Sequence, residues 1–304
     1  MRLSQFIAKI VSTVLAMALI LGLLPGRSMA QDQAPPSFSP DQLDHLVSRI
    51  ALYPDPLLAQ VLAAATFPEQ IPDAARWADQ HHYLRGAELA NAINEDRLPF
   101  DPSVQAVLPF PSVLNMMASD MNWTSDIGNA FLADRQDVMD AVQRMRERAR
   151  DFGYLRSNGQ IVVSGGPYIE IVPANPAFIP VPYYDPLVVY ARPRPGFFVG
   201  GAIGFGYGVS IGTYFRPWGW GYSRFDWRGH GYYVNDRPWG RSWGNRGVYV
   251  HEYHGVQRWD AGRRAEGHEL VERNEHERNA WHDGRARQEE HDHDHGDHGH
   301  GHRP

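Results

Sequence analysis

The stretch that decides the fold is YPDPLLAQVLAAATFPEQIPDAARWADQH, which occupies residues 53–81. Asp55-Pro56 and Pro72-Asp73 are typical helix starts, because Asp caps free backbone N–H groups and Pro fits the first turn. Between them, apolar side chains recur at intervals of three and four residues, which is the period of an α-helix. These side chains are Leu57, Leu58, Val61, Leu62 and Ala65. The stretch therefore predicts consecutive helices.

The helical pattern continues on both sides, over residues 41–154. Before the stretch the same spacing links Leu43, Leu46, Val47 and Ile50, and after it Asp101-Pro102 marks another helix start. Residues 130–151 form a long amphipathic segment whose last turns are rich in Arg, which suits the negative end of a helix dipole. We expect a mainly α fold, built on a compact bundle of about six helices.

The pattern changes in residues 155–192, where we expect a short β-strand extension. Runs of β-branched and aromatic residues alternate there with Gly and Pro, which is typical of short strands. The runs are residues 161–163, 168–172, 178–181 and 187–190. Ser164-Gly165-Gly166-Pro167 is a good candidate for a tight turn between the first two.

Residues 193–215 form a Gly-rich hydrophobic segment in which two periods overlap. Glycines recur at every fourth position, as on one stripe of a close-packed helix; they are Gly196, Gly200, Gly204, Gly208 and Gly212. From Ile203 onward small and large residues also alternate, as they do in a strand. Residues 195–215 are 21 uncharged residues, enough for a helix to cross a bilayer.

Three interpretations of this segment stay open. We favour a helix embedded in or touching a membrane, because each Gly costs about 1 kcal/mol relative to Ala in a water-exposed helix and is tolerated in lipid. A strand or hairpin with a glycine face is the second interpretation, and a plain linker is the third. The expected partners are a membrane and an envelope protein or a second copy of the chain.

The first 30 residues predict export. Arg2 and Lys9 precede an apolar run over residues 10–24, and Ser28-Met29-Ala30 supplies the small residues of a cleavage site. We interpret residues 1–30 as a signal peptide and residues 31–40 as a linker; an uncleaved membrane anchor is the alternative. The expected location is the periplasm or cell envelope.

The net charge and the absence of Cys exclude two classes of protein, a general nucleic-acid binder and a domain stabilised by disulfides. The formal net charge is −6, and removal of residues 1–30 takes away three cations and makes it −9. A net negative chain is no general nucleic-acid binder. The chain has no Cys, so it lacks disulfides and its ordered part depends on an ordinary hydrophobic core.

Residues 216–256 are rich in Arg, Gly and aromatic side chains. RPWG occurs at residues 216 and 237, and the pattern W-x-x-x-G-x-Y-V occurs over residues 227–234 and 243–250. Interleaved Arg and aromatics stack on bases or sugars or lie at a lipid interface. The alternative that we favour is an aromatic surface packed on the bundle, or a solvated arm.

Residues 257–304 form a polar, His-rich tail that we expect to be largely disordered. Its last stretch, HDHDHGDHGHGH, alternates imidazoles with carboxylates, which suit Zn, Ni or Cu. The candidate ligands are His291, His293, His295, His298, His300, His302, Asp292 and Asp294. A solubilising tail is the alternative interpretation, and no cofactor is required.

Two motifs in the first stretch and the strand region resemble a bacterial exported family known as domain of unknown function 3300. The first matches at Tyr53-Pro54-Asp55, Leu57, Leu58, residues 64–66, Pro68, Ala75 and Trp77; the second matches at Tyr168, Glu170, Ile171, Pro173, Pro182, Tyr184-Asp185-Pro186 and Val189-Tyr190. The resemblance covers residues 41–215. It implies membrane association and brings no assigned activity or catalytic residue.

Candidates for catalysis are weak. Gly208-Val209-Ser210-Ile211-Gly212 is a literal nucleophile-elbow string, but such an elbow needs alternating strands and helices around it. The leading hypothesis is a non-enzymatic, membrane-associated envelope protein that acts as a structural or interaction module. Metal binding by the tail is the first alternative. The second is an envelope hydrolase, with Asp55 or Glu170 as acid or base because both lie in the family-like motifs.

Overall fold

The computed structural model describes residues 34–193, 201–206, 208–234 and 236–249, and from Ser37 onward they belong to one compact unit. The α-helices of this described part are α1 Pro40–Val47, α2 Asp55–Ala65, α3 Ile71–Gln80, α4 Gly86–Glu95, α5 Pro102–Gln105, α6 Pro111–Ser119, α7 Met121–Ala133, α8 Arg135–Asp151 and α9 Pro186–Val189. Turns of 3-10 helix occupy Pro68–Gln70, Thr213–Trp218 and Trp243–Tyr249. The predicted helical bundle with short strands after it is therefore confirmed at this coarse level.

Helix starts follow the local sequence. Ser39 and Gln42 form a reciprocal capping box at α1, since each side chain bonds the other residue's backbone N–H. The carboxylate of Asp101 accepts from the Ser103 backbone N–H, as predicted for Asp101-Pro102. At α2 the predicted cap is wrong: the helix begins at Asp55, but the N-cap is Pro54 and no side chain caps it.

The predicted long helix over residues 130–151 is split. Its first part belongs to α7, which ends at Ala133, and the remainder is α8. Asp134 lies between them in an extended conformation, and its side chain accepts from the Asp137 backbone N–H. A capping Asp thus starts a second helix where the apolar spacing alone predicts continuation.

Helix α2 lies at the centre of the core. Ten of its eleven residues are buried, which is typical of a helix that is covered on all sides. It packs against α5, α7 and the first strand of the C-terminal sheet. On α7, Gly128 faces the Ala65 carbonyl so closely that an added Cβ would collide with it. The two helix backbones therefore approach each other at a glycine.

The strands are short and form four small antiparallel sheets. Their bounds are β1 Ile161–Val163, β2 Ile171–Pro173, β3 Phe178–Ile179, β4 Pro182–Tyr184, β5 Ile203–Phe205, β6 Val209–Ser210, β7 Arg224–Asp226, β8 Gly231–Val234 and β9 Arg237–Pro238. β1 pairs with β2, β3 with β6, β4 with β5, and β7, β8 and β9 form one sheet in that order. The predicted strand at 187–190 is wrong, because Asp185 caps the Leu187 N–H and starts α9.

The described part of the Gly-rich segment is not a helical stripe. Residues 203–205 and 209–210 are strands, and a 3-10 helix starts at Thr213. Gly204 leaves room for the ring of Tyr183, and a Cβ added at Gly208 would lie only 3.2 Å from the Cβ of Phe178. Since β5 and β6 pair with β4 and β3, the favoured helical interpretation fails for these residues, whereas the strand interpretation describes them. Gly196 and Gly200 lie outside the described residues.

The aromatic side chains after residue 210 complete the core of the bundle. They lie in the same buried cluster as α2 and α7; the buried aromatic members are Phe215, Trp218, Trp220, Phe225, Trp227 and Tyr232. The Trp220 indole donates to the Ala106 carbonyl at 2.9 Å, and the Tyr232 hydroxyl donates to the Ala59 carbonyl at 2.5 Å. Of the interpretations of residues 216–256, packing on the bundle is the one that the described residues show.

Candidate functional site

A cleft of about 970 Å³ lies between the helical bundle and the paired strands β3 to β6. The end of α3, the start of α4 and the loop before α6 form one wall. The other wall is a ribbon in which residues 178–184 run antiparallel to residues 203–206 and 208–210. The volume of the cleft lies at the upper end of the range for ligand pockets. This cleft is the candidate functional site.

The ribbon wall presents aromatic side chains to solvent. The exposed fractions of Tyr183 and Phe178 are 67% and 46%, which are high for large apolar side chains. Tyr183 is held against Gly204 across the β4–β5 pair, where a larger side chain would displace its ring. This wall therefore offers rings that are positioned by the backbone opposite them.

Tyr53 and Tyr184 line the cleft, and the hydroxyls of Tyr184 and Tyr190 tie the ribbon side of the cleft to the bundle. The Tyr184 hydroxyl donates to the Ser48 carbonyl at 2.9 Å and accepts from the Leu52 backbone N–H at 3.3 Å. Tyr190 donates to the same Ser48 carbonyl at 3.1 Å. Burial raises the pKa of Tyr53 to about 12 and raises the pKa of Tyr184 well above its ordinary value. These phenols therefore stay neutral and anchor the strands to the α1–α2 turn.

The helical wall carries imidazoles and a guanidinium. The ring of His81 stacks on the Trp77 indole, with centroids 4.0 Å apart, and its Nδ1 lies 2.8 Å from the Trp77 carbonyl oxygen. The Nδ1 of His82 lies 2.6 Å from the Asp79 carbonyl oxygen. Arg85, at the N-cap of α4, donates to the Leu84 carbonyl at 2.7 Å. Backbone contacts thus hold all three side chains at the cleft.

The charge of the cleft is opposite to that of the whole chain. Its lining contains Arg49, Arg85, His81 and His82, and none of its described lining residues is acidic. Arg49 forms an ion pair with Asp120 outside the cleft, at 2.9 Å. A backbone hydrogen bond from Trp123, with Arg49 adding to it, lowers the pKa of Asp120. The guanidinium of Arg85 has no carboxylate within ion-pair distance among the described residues.

The two acid–base candidates have other roles in the structure. Asp55 is buried and pairs with Arg146, whose fully buried NH1 lies 2.7 Å from its Oδ1. Its Oδ2 accepts from the Trp227 indole at 2.8 Å. Glu170 is exposed on the β1–β2 hairpin. Neither residue lines the cleft.

Arg146 extends this buried pair into a junction of four parts of the chain. It donates to the carbonyls of Ala51, Tyr53 and Ile169 at 2.8, 3.0 and 2.8 Å. Its guanidinium also lies over the Trp227 ring, 4.9 Å from the centroid. The pair therefore joins α2, α8, the hairpin and the C-terminal aromatic residues.

Ser210 lies at the edge of the cleft, but in the wrong context for a nucleophile elbow. It is exposed on β6 and pairs with Phe178 of the antiparallel strand β3. A 3-10 turn follows it, whereas the elbow needs a parallel sheet and a following α-helix. The sequence-based rejection of this motif therefore agrees with the structure.

The predicted metal ligands lie outside the described residues. These are the six tail histidines from His291 to His302, together with Asp292 and Asp294. In the part of the chain that the structure describes, no group of three or more His, Asp or Glu side chains is placed to hold a metal. The tail prediction therefore stays a prediction.

The sequence patterns do not predict the cleft. Tyr183 lies between the predicted strand runs 178–181 and 187–190 and belongs to neither. The signals for the ribbon wall are the strand run 178–181 and the alternation of small and large residues from Ile203 onward, and neither indicates that the two segments pair. The walls are separated by about a hundred residues, so no local pattern brings them together.

Comparisons with known proteins give a family but no activity. A family model described as protein of unknown function (DUF3300) matches residues 39–295, a longer range than residues 41–215. The uncharacterized protein YacH of Escherichia coli (strain K12) is 31% identical over 238 residues, which are 63% of this chain and 38% of that relative. The chain thus spans well under half of the relative's length. No solved structure matches.

Proposed function

This chain belongs to the DUF3300 family, whose function is unknown. We propose that it is a non-enzymatic interaction module of the cell envelope and that it binds its partner in the cleft. The observation that carries the proposal is the cleft between helices and ribbon. It combines exposed aromatic rings with a basic helical wall. Enriched aromatic and Arg side chains are typical of surfaces that bind other molecules.

The non-enzymatic part rests on the positions of the candidate acids. Asp55 is held by Arg146 and Trp227 inside the core, where its carboxylate serves as a structural acceptor. Glu170 stands on an exposed hairpin away from the cleft. A general acid or base has to reach the bound substrate, and these two residues do not line the site.

The envelope location rests on residues 1–30, with their charged start, apolar run and cleavage site. Export is tested by N-terminal sequencing of the mature protein from fractionated cells. A mature N-terminus at Gln31 in the periplasmic fraction supports it. Full-length protein that begins with Met1 in the cytosol contradicts it.

Membrane association is a separate part of the proposal. Within the described residues no helix has the length and apolar character to cross a bilayer. Leu187, Val188 and Tyr183 are exposed by 85%, 44% and 67%, and we propose that these side chains contact the membrane surface. Sedimentation with phosphatidylglycerol vesicles tests this part. We expect wild type to pellet and Leu187→Asp to stay in the supernatant; equal supernatant fractions for both contradict it.

The interaction module is tested by photo-crosslinking in living cells. A photoreactive amino acid at Tyr183 probes the cleft, and one at Val162, exposed by 46% on the β1–β2 hairpin, is the control. We expect discrete adducts from position 183 that position 162 does not form. If both positions give the same adducts, or if neither gives any, the cleft is not the interaction site.

Metal binding by the tail is the second candidate function, supported by the alternating His and Asp of residues 291–302. Titration calorimetry with Zn²⁺ compares the full chain with a chain that ends at Glu290. We expect binding only in the full chain. Cells that carry the two versions should then differ in zinc tolerance, and identical tolerance excludes the physiological role.

A further inference from the structure

We propose that the cleft binds an extended, acidic, proline-containing peptide segment of another protein. This inference rests on the proposed function, since it names the partner of the same cleft. The shape of the cleft, its charge and its aromatic wall each support one feature of this ligand.

The shape favours an extended chain. One wall of the cleft is the ribbon of residues 178–184, 203–206 and 208–210, whose strands form only two-stranded sheets among the described residues. A two-stranded sheet has edges with unpaired N–H and C=O groups, which can pair with a peptide backbone. The lining includes ribbon residues from Phe178 to Tyr184, so the cleft extends along the ribbon.

The charge favours acidic side chains in the ligand. The chain has a net charge of −6, yet the charged and titratable lining residues of the cleft are Arg49, Arg85, His81 and His82, with the phenols of the tyrosines. Arg49 already forms an ion pair with Asp120, whereas Arg85 donates hydrogen bonds from its NH1 to backbone carbonyls. Arg85 is therefore the guanidinium that we expect to meet a ligand carboxylate, in the paired geometry that Arg favours.

The aromatic wall favours proline. Tyr183 and Phe178 present exposed rings, and the lining also includes Pro109, Pro111 and Pro182. Grooves lined by aromatic rings bind proline-rich segments because the polyproline conformation is extended before binding and loses little entropy. An acidic segment of this kind satisfies the rings and Arg85 together.

Fluorescence anisotropy with the full mature chain tests the proposal. The probe is a labelled peptide of repeated Asp-Pro-Pro triplets, compared with repeated Arg-Pro-Pro and Asp-Gly-Ser peptides of the same length. We expect the Asp-Pro-Pro peptide to bind most tightly, the Arg-Pro-Pro peptide not to bind, and the Asp-Gly-Ser peptide to bind about tenfold more weakly, because it is not extended in advance. Equal binding of the Asp and Arg peptides overturns the proposal.

Matched variants place the binding in the cleft. Arg85→Glu and Tyr183→Ala should each weaken Asp-Pro-Pro binding by about tenfold or more, since they remove the ion pair and the main ring. Arg237→Glu on β9 and Tyr214→Ala, exposed by 55%, change the same residue types outside the cleft lining and should leave binding unchanged. Thermal unfolding confirms that all four variants fold. Loss of binding in the control variants as well, or in none of the four, overturns the cleft assignment.

Binding tests with two further ligands distinguish a failure of this inference from a failure of the proposed function. Soluble wall glycan chains and phosphatidylglycerol vesicles are tested with the same variants. If either binds and depends on Arg85 and Tyr183 while the peptides do not bind, the peptide inference is wrong and the cleft remains an interaction site. If no arm depends on the cleft and position 183 forms no adduct in cells, both proposals fail.

Discussion

At the scale of single residues, Asp55 shows how a motif residue serves the fold. Its carboxylate lies against the fully buried Arg146 and the Trp227 indole. Asp55→Asn removes the negative charge and leaves a guanidinium without its counter-charge in the core. We expect this to lower the free energy of unfolding by about 3–5 kcal/mol, as measured by urea denaturation.

Glu170→Gln is the matched control for Asp55→Asn, because both residues lie in the family-like motifs but Glu170 is exposed. It should change stability by less than about 0.5 kcal/mol. Equal losses of stability in the two variants contradict a structural role confined to Asp55. A lost envelope phenotype in a fully folded Glu170→Gln protein revives the hydrolase alternative.

Buried phenols predict a loss of stability at alkaline pH. Burial raises the pKa of Tyr53 from 10.0 to about 12, so the folded state favours the neutral phenol. This contribution is complete below pH 10, and it is lost as pH rises from 10 towards 12, because the unfolded chain ionises first. A shift of this size corresponds to about 3 kcal/mol.

Denaturation midpoints measured across this pH range test the effect of Tyr53. We expect the wild-type midpoint to fall steadily above pH 10, and Tyr53→Phe to fall less steeply, since it has no phenol to ionise. The remaining slope belongs to other buried phenols, whose pKa values burial also raises; Tyr184, Tyr190 and Tyr232 are the examples. Parallel slopes in both proteins would show that Tyr53 is not buried in the folded state.

At the scale of elements, the contact between α2 and α7 depends on one glycine. A Cβ at Gly128 would collide with the Ala65 carbonyl, which belongs to a helix backbone and cannot rotate away. Gly128→Ala should therefore lower the free energy of unfolding by about 1–3 kcal/mol, even though Ala is the better helix former. Gly159→Ala is the control, because that position is open, and it should change the melting temperature little.

The elements also show what a sequence pattern can predict. The three Pro-containing pairs mark the positions of helix starts, because Pro fits the first turn, but among them only Asp101 caps its helix with a side chain. Capping also explains two wrong predictions. Asp134 starts a new helix inside the predicted helix 130–151, and Asp185 starts a helix where a strand was predicted over residues 187–190. The Gly-rich segment was ambiguous for a different reason, since its strands exist through pairing with residues 178–184.

At the scale of the whole molecule, the C-terminal aromatic residues are part of the bundle. Truncation after residue 200 removes Trp220, Trp227 and Tyr232 from the core around α2. We expect that fragment to lose cooperative unfolding and to aggregate, because its central helix then exposes a large apolar face. A chain that ends at Tyr249 keeps all of these residues and should unfold cooperatively. A stable, cooperative 1–200 fragment would contradict the shared core.

The packing between distant segments of the chain is the part of the structure that the sequence predicts least. The sequence contained the helices, the strands and the aromatic region, but left open whether the last of these packs or is solvated. The packing of the aromatic region on the helices depends on contacts between distant residues. One example is the hydrogen bond between Gln60 and Ser223, which are 163 residues apart. The cleft is a product of the same long-range packing, so neither its walls nor its charge could be predicted before the structure.

The hydrogen bonds from Trp227 to Asp55 and from Arg241 to Thr66 join residues 172 and 175 positions apart. A ribosome therefore releases α2 long before it makes the groups that cover it. During synthesis the first half of the chain therefore lacks the side chains that cover α2. The core can close only after Trp227 and Arg241 have been added, so we expect cooperative folding to begin late in synthesis.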